Sequence, residues 1–156
     1  MRVLLSLSLL VLVACSSAQP GEKTTDAYIA DLGSPDPALQ LDACKKLGAR
    51  RAKNAVPKIG ALLSNSGDPE VQAAAAASLG EIAEPGSTGV LLQKFESTQV
   101  APVQYAIMAA LGNLQLVNGN ASNKAAVVQA ANRAKESKDP ILQDLASRVI
   151  LIYDKK

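Results

Sequence analysis

The chain has 156 residues, 48% of them hydrophobic yet only 3% aromatic, and a formal net charge of +2. That length allows one domain with a sizeable core, while the weak charge, one Phe and no Trp argue against nucleic acid as a partner, which calls for a basic surface and aromatic platforms. His is absent, so a Ser-His-Asp or Cys-His site cannot exist within the chain and the commonest metal ligand is missing. No Walker-type loop, zinc spacing or calcium loop is present, and no catalytic residue, metal or cofactor is expected.

The chain opens with MRVLLSLSLLVLVAC over residues 1–15. Arg2 makes a positive start, and Val3 to Val13 is apolar except at Ser6 and Ser8. This pattern is that of a signal peptide, too short to remain as a membrane-spanning helix. The junction Leu12-Val13-Ala14-Cys15 resembles a bacterial lipobox. The resemblance implies removal of a signal peptide over 1–14 and lipidation of Cys15, at its thiol and then at the new amino terminus. Each buried methylene contributes about 0.8 kcal/mol, so two or three acyl chains anchor a protein stably. Ser16 stands where Asp commonly signals inner-membrane retention. The expected location is therefore the cell envelope: the outer membrane facing the periplasm in a diderm host, otherwise the cell membrane. Residues 15–24 form the lipidated Cys and a flexible tether. The stretch SSAQPGEK is polar and contains Pro20 and Gly21, and eight residues reach about 26–29 Å at most.

From residue 25 onward the signal is internal repetition. Four segments align: Asp36-Pro37-Ala38-Leu39-Gln40, Asp68-Pro69-Glu70-Val71-Gln72, Val100-Ala101-Pro102-Val103-Gln104 and Asp139-Pro140-Ile141-Leu142-Gln143. They begin at 36, 68, 100 and 139, steps of 32, 32 and 39 residues. Asp caps a helix and Pro is tolerated at its first position. Apolar residues follow at i, i+4 and i+8, one stripe of a helix; in the first copy they are Leu39, Ala43 and Leu47. Gly48, Gly80 and Gly112 come next, with Leu151 in the last copy, and Gly there is expected to loosen or end the helix. This is the first helix of each pair.

A second helix follows each first one. Val56, Ile59 and Leu63 form its stripe in copy one, Leu91, Leu92 and Phe95 in copy two, and Val127, Ala131 and Ala134 in copy three, where the helix runs from Lys124 to Lys135. Residues 113–123 read as a longer connection that accounts for the 39-residue step. Thr25 to Leu32 reads as a second helix without its first, and Asp139 to Tyr153 as a first helix without its second. Repeat proteins need such atypical ends to keep their core from water.

The segments DPEVQAAAAASLGEIAEPGSTGVLLQKF and DPALQLDACKKLGARRAKNAVPKIGALL resemble bacterial HEAT repeats of the kind also found in phycobiliprotein-lyase-like families. The resemblance implies an all-α fold over 25–156, a right-handed α-solenoid of about 3.5 HEAT-like helical hairpins with the second helices lining the concave side. It says little of activity. With no convergent motif around Tyr28, Tyr105 or Tyr153, a lyase-like enzyme is the weakest of three functions. The leading expectation is a lipid-anchored scaffold for an unknown protein partner in the envelope. The alternative is a membrane-proximal factor handling lipid or glycan.

Three local features bear on these functions. Lys45, Lys46, Arg50, Arg51, Lys53 and Lys58 form a basic edge with no acid between Ala43 and Gly67. It is either a surface for anionic headgroups or an acidic protein, or a solvated repeat edge with cations near a helix C-terminus, partly neutralised by Glu81 and Glu84. Cys44, the thiol left after lipidation, reads as a buried structural residue, since a reactive one needs an activating base. The last helix is apolar on more than one face, with Leu151 beside Asp144 and Arg148. It either packs onto its neighbour and the tail or supports weak self-association.

Overall fold

A computed structural model describes residues 22–119 and 123–155 of the chain. The expected signal peptide over 1–14, the expected lipidation site Cys15 and residues 16–21 of the expected tether lie outside the described residues. Within them the fold is all-helical: α1 Thr25–Asp31, α2 Pro37–Ala49, α3 Val56–Asn65, α4 Pro69–Ile82, α5 Thr88–Ser97, α6 Ala101–Asn118, α7 Lys124–Ala134 and α8 Pro140–Asp154, with 3-10 turns at Lys53–Ala55 and Pro85–Ser87.

The polar residues of the repeated motif fasten the turn before each first helix. Asp36, Asp68 and Asp139 accept from the backbone N–H two residues on, at 2.9, 2.8 and 2.9 Å, which satisfies an orphan donor of the first turn. Gln40, Gln72, Gln104 and Gln143 each donate through Nε2 to the carbonyl six residues earlier, that of Ser34, Ser66, Thr98 and Ser137. The hydroxyls of those same four residues accept from the backbone N–H of Asp36, Asp68, Val100 and Asp139. The repeat unit therefore includes a Ser or Thr two residues ahead of the Asp. The third copy has Val100 at the capping position and no side-chain cap.

The stripes expected from the sequence face the core. Ala43, Leu47, Val71, Ala75, Leu79, Val103, Ile107, Leu111 and Ala146 are all fully buried. So are Ile59, Leu63, Leu91, Val127 and Ala131 of the second helices. Leu39 departs from the expectation and is 37% exposed, because among the described residues no first helix precedes α2 to cover it.

Glycine plays a different part from the one expected. Gly48, Gly80 and Gly112 lie inside their helices, which continue to Ala49, Ile82 and Asn118. The left-handed residues that turn the chain are Arg51 (φ 49°), Ala83 (φ 56°) and Gly119 (φ 66°). The three internal glycines mark where consecutive first helices cross. A Cβ on Gly80 would stand 2.6 Å from Ala110 Cα, on Gly48 3.2 Å from Ser78 Cα, and on Gly112 3.3 Å from Val149 Cγ2. Within the alanine run Ala75 and Ala76 are fully buried, whereas Ala77 is exposed.

This spacing sets the curvature. α2, α4, α6 and α8 pack closely in one row, whereas α3, α5 and α7 touch each other lightly. A stack bends toward its more closely spaced layer, so the first helices take the inner arc. The concave side is theirs and not that of the second helices. Each second helix packs on the first helix that follows it, so the units in space are α1–α2, α3–α4, α5–α6 and α7–α8. The ends that read as half-repeats are members of these pairs. The 39-residue step also has a different origin from a long loop. α6 extends for 18 residues against 14 for α4, absorbing most of 113–123 into helix. Asn113 and Asn118 in that extension donate to the carbonyls of Gly80 and Ala83 at 2.7 and 2.9 Å, capping the end of α4 from outside.

Candidate functional site

The six cations of the basic edge are not one free surface. Lys46 and Arg50 both reach Glu22, at 3.3 and 3.1 Å. Arg50 also donates to Lys23 O at 2.9 Å and to Thr25 Oγ1 at 3.3 Å, and its guanidinium lies 5.0 Å from the Tyr28 ring centre. Hydrogen bonding from Lys46, and then from Arg50, holds the Glu22 carboxyl below its ordinary range. The same pairing raises Lys46. Lys23 in turn bridges to Asp31 at 2.7 Å. Residues 22–25, where the sequence suggests a tether joining the repeats, are thus fastened across the end of α2. Lys53 pairs with Glu84 at 3.1 Å, as the sequence allowed. Lys45, Arg51 and Lys58 are exposed and form no ion pair among the described residues. They point to different places. Lys45 borders the inner arc, Arg51 sits in the turn, and Lys58 lies beside Leu32 and Gly33 on the opposite layer.

Cys44 is fully buried and its thiol is pushed up to about 12 by desolvation. It is a core residue with almost no thiolate near neutral pH.

The feature that sequence reasoning passed over lies on the inner arc. Between α2 and α4 is a depression of about 410 Å³ bordered by Leu41, Asp42, Lys45, Ala74, Ala77 and Glu81. Between α4 and α6 is a second, of about 350 Å³, bordered by Ala77, Glu81, Tyr105, Ala106, Ala109 and Asn113. Sharing Ala77 and Glu81, the two form one trough across three first helices. Its floor is alanine, its walls carry Lys45 and Glu81, and Tyr105 stands in it 44% exposed. The signal was available: Tyr105 occupies, 32 residues on, the register of Ala73, outside the buried stripe. As a catalytic group Tyr105 has no convergent motif around it, so only its place outside the stripe marks it.

Among the described residues no cluster of three His, Cys, Asp or Glu could hold a metal ion, and no helix is long and apolar enough to cross a membrane. Ion pairs elsewhere tie repeats together. Arg133 of α7 pairs with Glu96 of α5, and Lys124 of α7 with Asp154 of α8 at 3.8 Å.

The fold has a counterpart among solved structures. The complex of CpcE and CpcF of phycocyanin lyase from Nostoc sp. PCC7120 superimposes with a TM-score of 0.59 at 18% identity, covering 89% of this chain and 68% of the other. At that identity the likeness is one of fold. No curated protein matches the chain in sequence. The family described as HEAT repeats matches residues 25–112, more than half of the chain and the span of α1 through the Gly112 crossing. With eight helices in two layers among the described residues and a 32-residue register, the chain belongs to the HEAT-repeat family.

Proposed function

We propose that the chain is a lipid-anchored scaffold of the cell envelope that seats a protein partner in its inner trough. The observation that carries this reading is the trough itself, a continuous surface floored by Ala74, Ala77 and Ala109 with Tyr105 exposed within it. Small floor residues let a partner's side chains approach the helix backbones. An exposed Tyr offers apolar area and a hydrogen-bonding tip at low entropic cost. The lipobox-like segment supplies the anchor, and the short tether keeps the trough near the membrane.

The test is photocrosslinking in cells from single sites. A crosslinker placed at Tyr105 or Ala77 is expected to yield a reproducible protein adduct, and one at Gln93, on an exposed face of α5, none. Equal adducts from both layers, or lipid adducts alone, would sink the reading. The anchor has its own check: Cys15→Ala should abolish acyl labelling and leave the precursor uncleaved.

A second reading rests on Lys45, Arg51 and Lys58, exposed cations without an ion pair among the described residues. Through them the chain would meet anionic lipid or a phosphorylated glycolipid as an accessory factor. Their joint replacement by Ala should then weaken binding to anionic vesicles, and the loss should shrink at high salt. Unchanged binding rejects this reading.

A further inference from the structure

The outward stripe of α8 is palindromic. Ala146 faces the core and is fully buried. At about 100° per residue, Ile141, Asp144, Arg148 and Leu151 all point within about 40° of the opposite direction. Ile141 is 63% and Leu151 62% exposed. Ile141 and Leu151 stand symmetrically about residue 146, and so do Asp144 and Arg148. The order along the stripe is apolar, acidic, basic, apolar.

A second α8 laid antiparallel on this stripe, with a two-fold axis through Ala146, sets Ile141 on Leu151 and Asp144 on Arg148 at both ends. A parallel helix would set Asp144 on Asp144. Within one chain Arg148 Nε already donates to Asp144 at 2.8 Å. In the antiparallel pair the two carboxylates and two guanidiniums alternate, so every charge has opposite neighbours. The inner first helices lack this pattern. At the registers of Asp144 and Arg148 they carry Leu41 and Lys45, Ala73 and Ala77, and Tyr105 and Ala109. Leu151 also fills the position where Gly48, Gly80 and Gly112 admit the next first helix. It therefore bars extension of the row past α8 while leaving the outward stripe open.

We propose that this stripe is a homodimer interface, two copies pairing antiparallel through α8 about Ala146. The contact is isologous, so it closes on itself and does not propagate. One helix pair is small beside a standard interface of roughly 1,200–2,000 Å², so the pair exchanges and is best seen by trapping it.

The experiment is disulfide trapping of the full chain in its own membrane. Ile141→Cys together with Leu151→Cys should give a covalent dimer on mild oxidation. The two substituted positions are about 15 Å apart along one helix, beyond disulfide reach, so the bond must join two chains. Ile141→Cys alone and Leu151→Cys alone should each give several-fold less dimer. Adding Asp144→Arg should lower the trapped fraction several-fold, and Asp144→Arg with Arg148→Asp should restore it. No dimer from the double cysteine variant, as much dimer from Leu151→Cys alone, or trapping indifferent to Asp144→Arg would each overturn the proposal. All four positions are exposed in the single chain, so these variants leave its core intact.

Discussion

The two ends of the stack are finished by opposite means. At the amino-terminal end, Lys46 occupies the register of Ser78, Ala110 and Val149, the residues that meet a preceding glycine inside the stack. With no first helix before α2 among the described residues, Glu22 takes that place and pairs with Lys46 and Arg50. At the other end, Leu151 replaces the crossing glycine and stands 62% exposed, as does Ile141, near the opposite end of α8, at 63%. One end is closed by charges from its own chain, while the other presents apolar residues that nothing among the described residues covers. A residue's identity at a given register thus follows from the neighbour it has. Glycine appears where a helix follows, a charged pair where the chain folds back, and a large apolar side chain where neither occurs.

The largest expected effect tests the crossing directly. Gly80→Ala should destabilise the fold by about 1–3 kcal/mol, since its Cβ meets Ala110 backbone and the helices must separate. Gly80→Leu, which gives α4 the residue that α8 has, should prevent a cooperative fold. The reverse change at the free end, Leu151→Gly, should cost no more than about 1 kcal/mol, the helix-propensity difference. Urea unfolding followed by circular dichroism measures all three. A neutral Gly80→Ala would mean that the rows are not held at the spacing that bends the stack.

Two smaller effects should raise stability. Val100 has φ −81° and ψ 108°, close to the φ −87° and ψ 113° of Asp36, yet its side chain has no oxygen to accept a capping bond. Val100→Asp should therefore stabilise α6 by about 1 kcal/mol. Ala83 holds φ 56°, a left-handed conformation that burdens a residue with a Cβ. Ala83→Gly should gain up to about 1 kcal/mol, offset in part by the greater freedom of Gly in the unfolded chain. An Ala83→Gly variant less stable than the parent would show that the Ala83 methyl, 5% exposed, packs more strongly than the turn is strained.

Much of this fold was legible because the repeat carries its own register. Once Asp36, Asp68 and Asp139 were aligned, the buried positions followed from helical periodicity. What was not legible depended on contacts between repeats. Nothing in the sequence near Gly80 shows that Ala110 lies against it, so a crossing residue read as a helix terminator. The extension of α6 through Leu114 and Asn118 read as a loop because Asn and Gly favour turns locally, while the bonds of Asn113 and Asn118 to the end of α4 exist only in the folded stack. The trough was hidden for a similar reason. Alanines at Ala74 and Ala77 look like packing residues, and only the bend places them and Tyr105 on one open surface. The basic edge was legible as composition, but the fold-back of Glu22 onto it was not.

The smallest effect concerns that fold-back. Lys46 and Arg50 hold the Glu22 carboxyl below the ordinary glutamate value of 4.5. A carboxylate with a lowered folded pKa contributes its stabilisation above the ordinary value and loses it as pH falls through the folded one. The latch is therefore closed near neutral pH and opens only in acid. An NMR titration of Glu22 should give a midpoint below 4.5, and Lys46→Ala or Arg50→Ala should move it upward. A midpoint at the ordinary value in the parent chain would mean that the latch does not form. The closed latch also decides how much of the basic edge an anion can meet. Glu22→Gln removes the competing carboxylate at every pH, so vesicle binding by the edge should rise if Lys46 and Arg50 belong to it. If it does not rise, those two cations serve only to finish the amino-terminal end, and the external surface reduces to Lys45, Arg51 and Lys58.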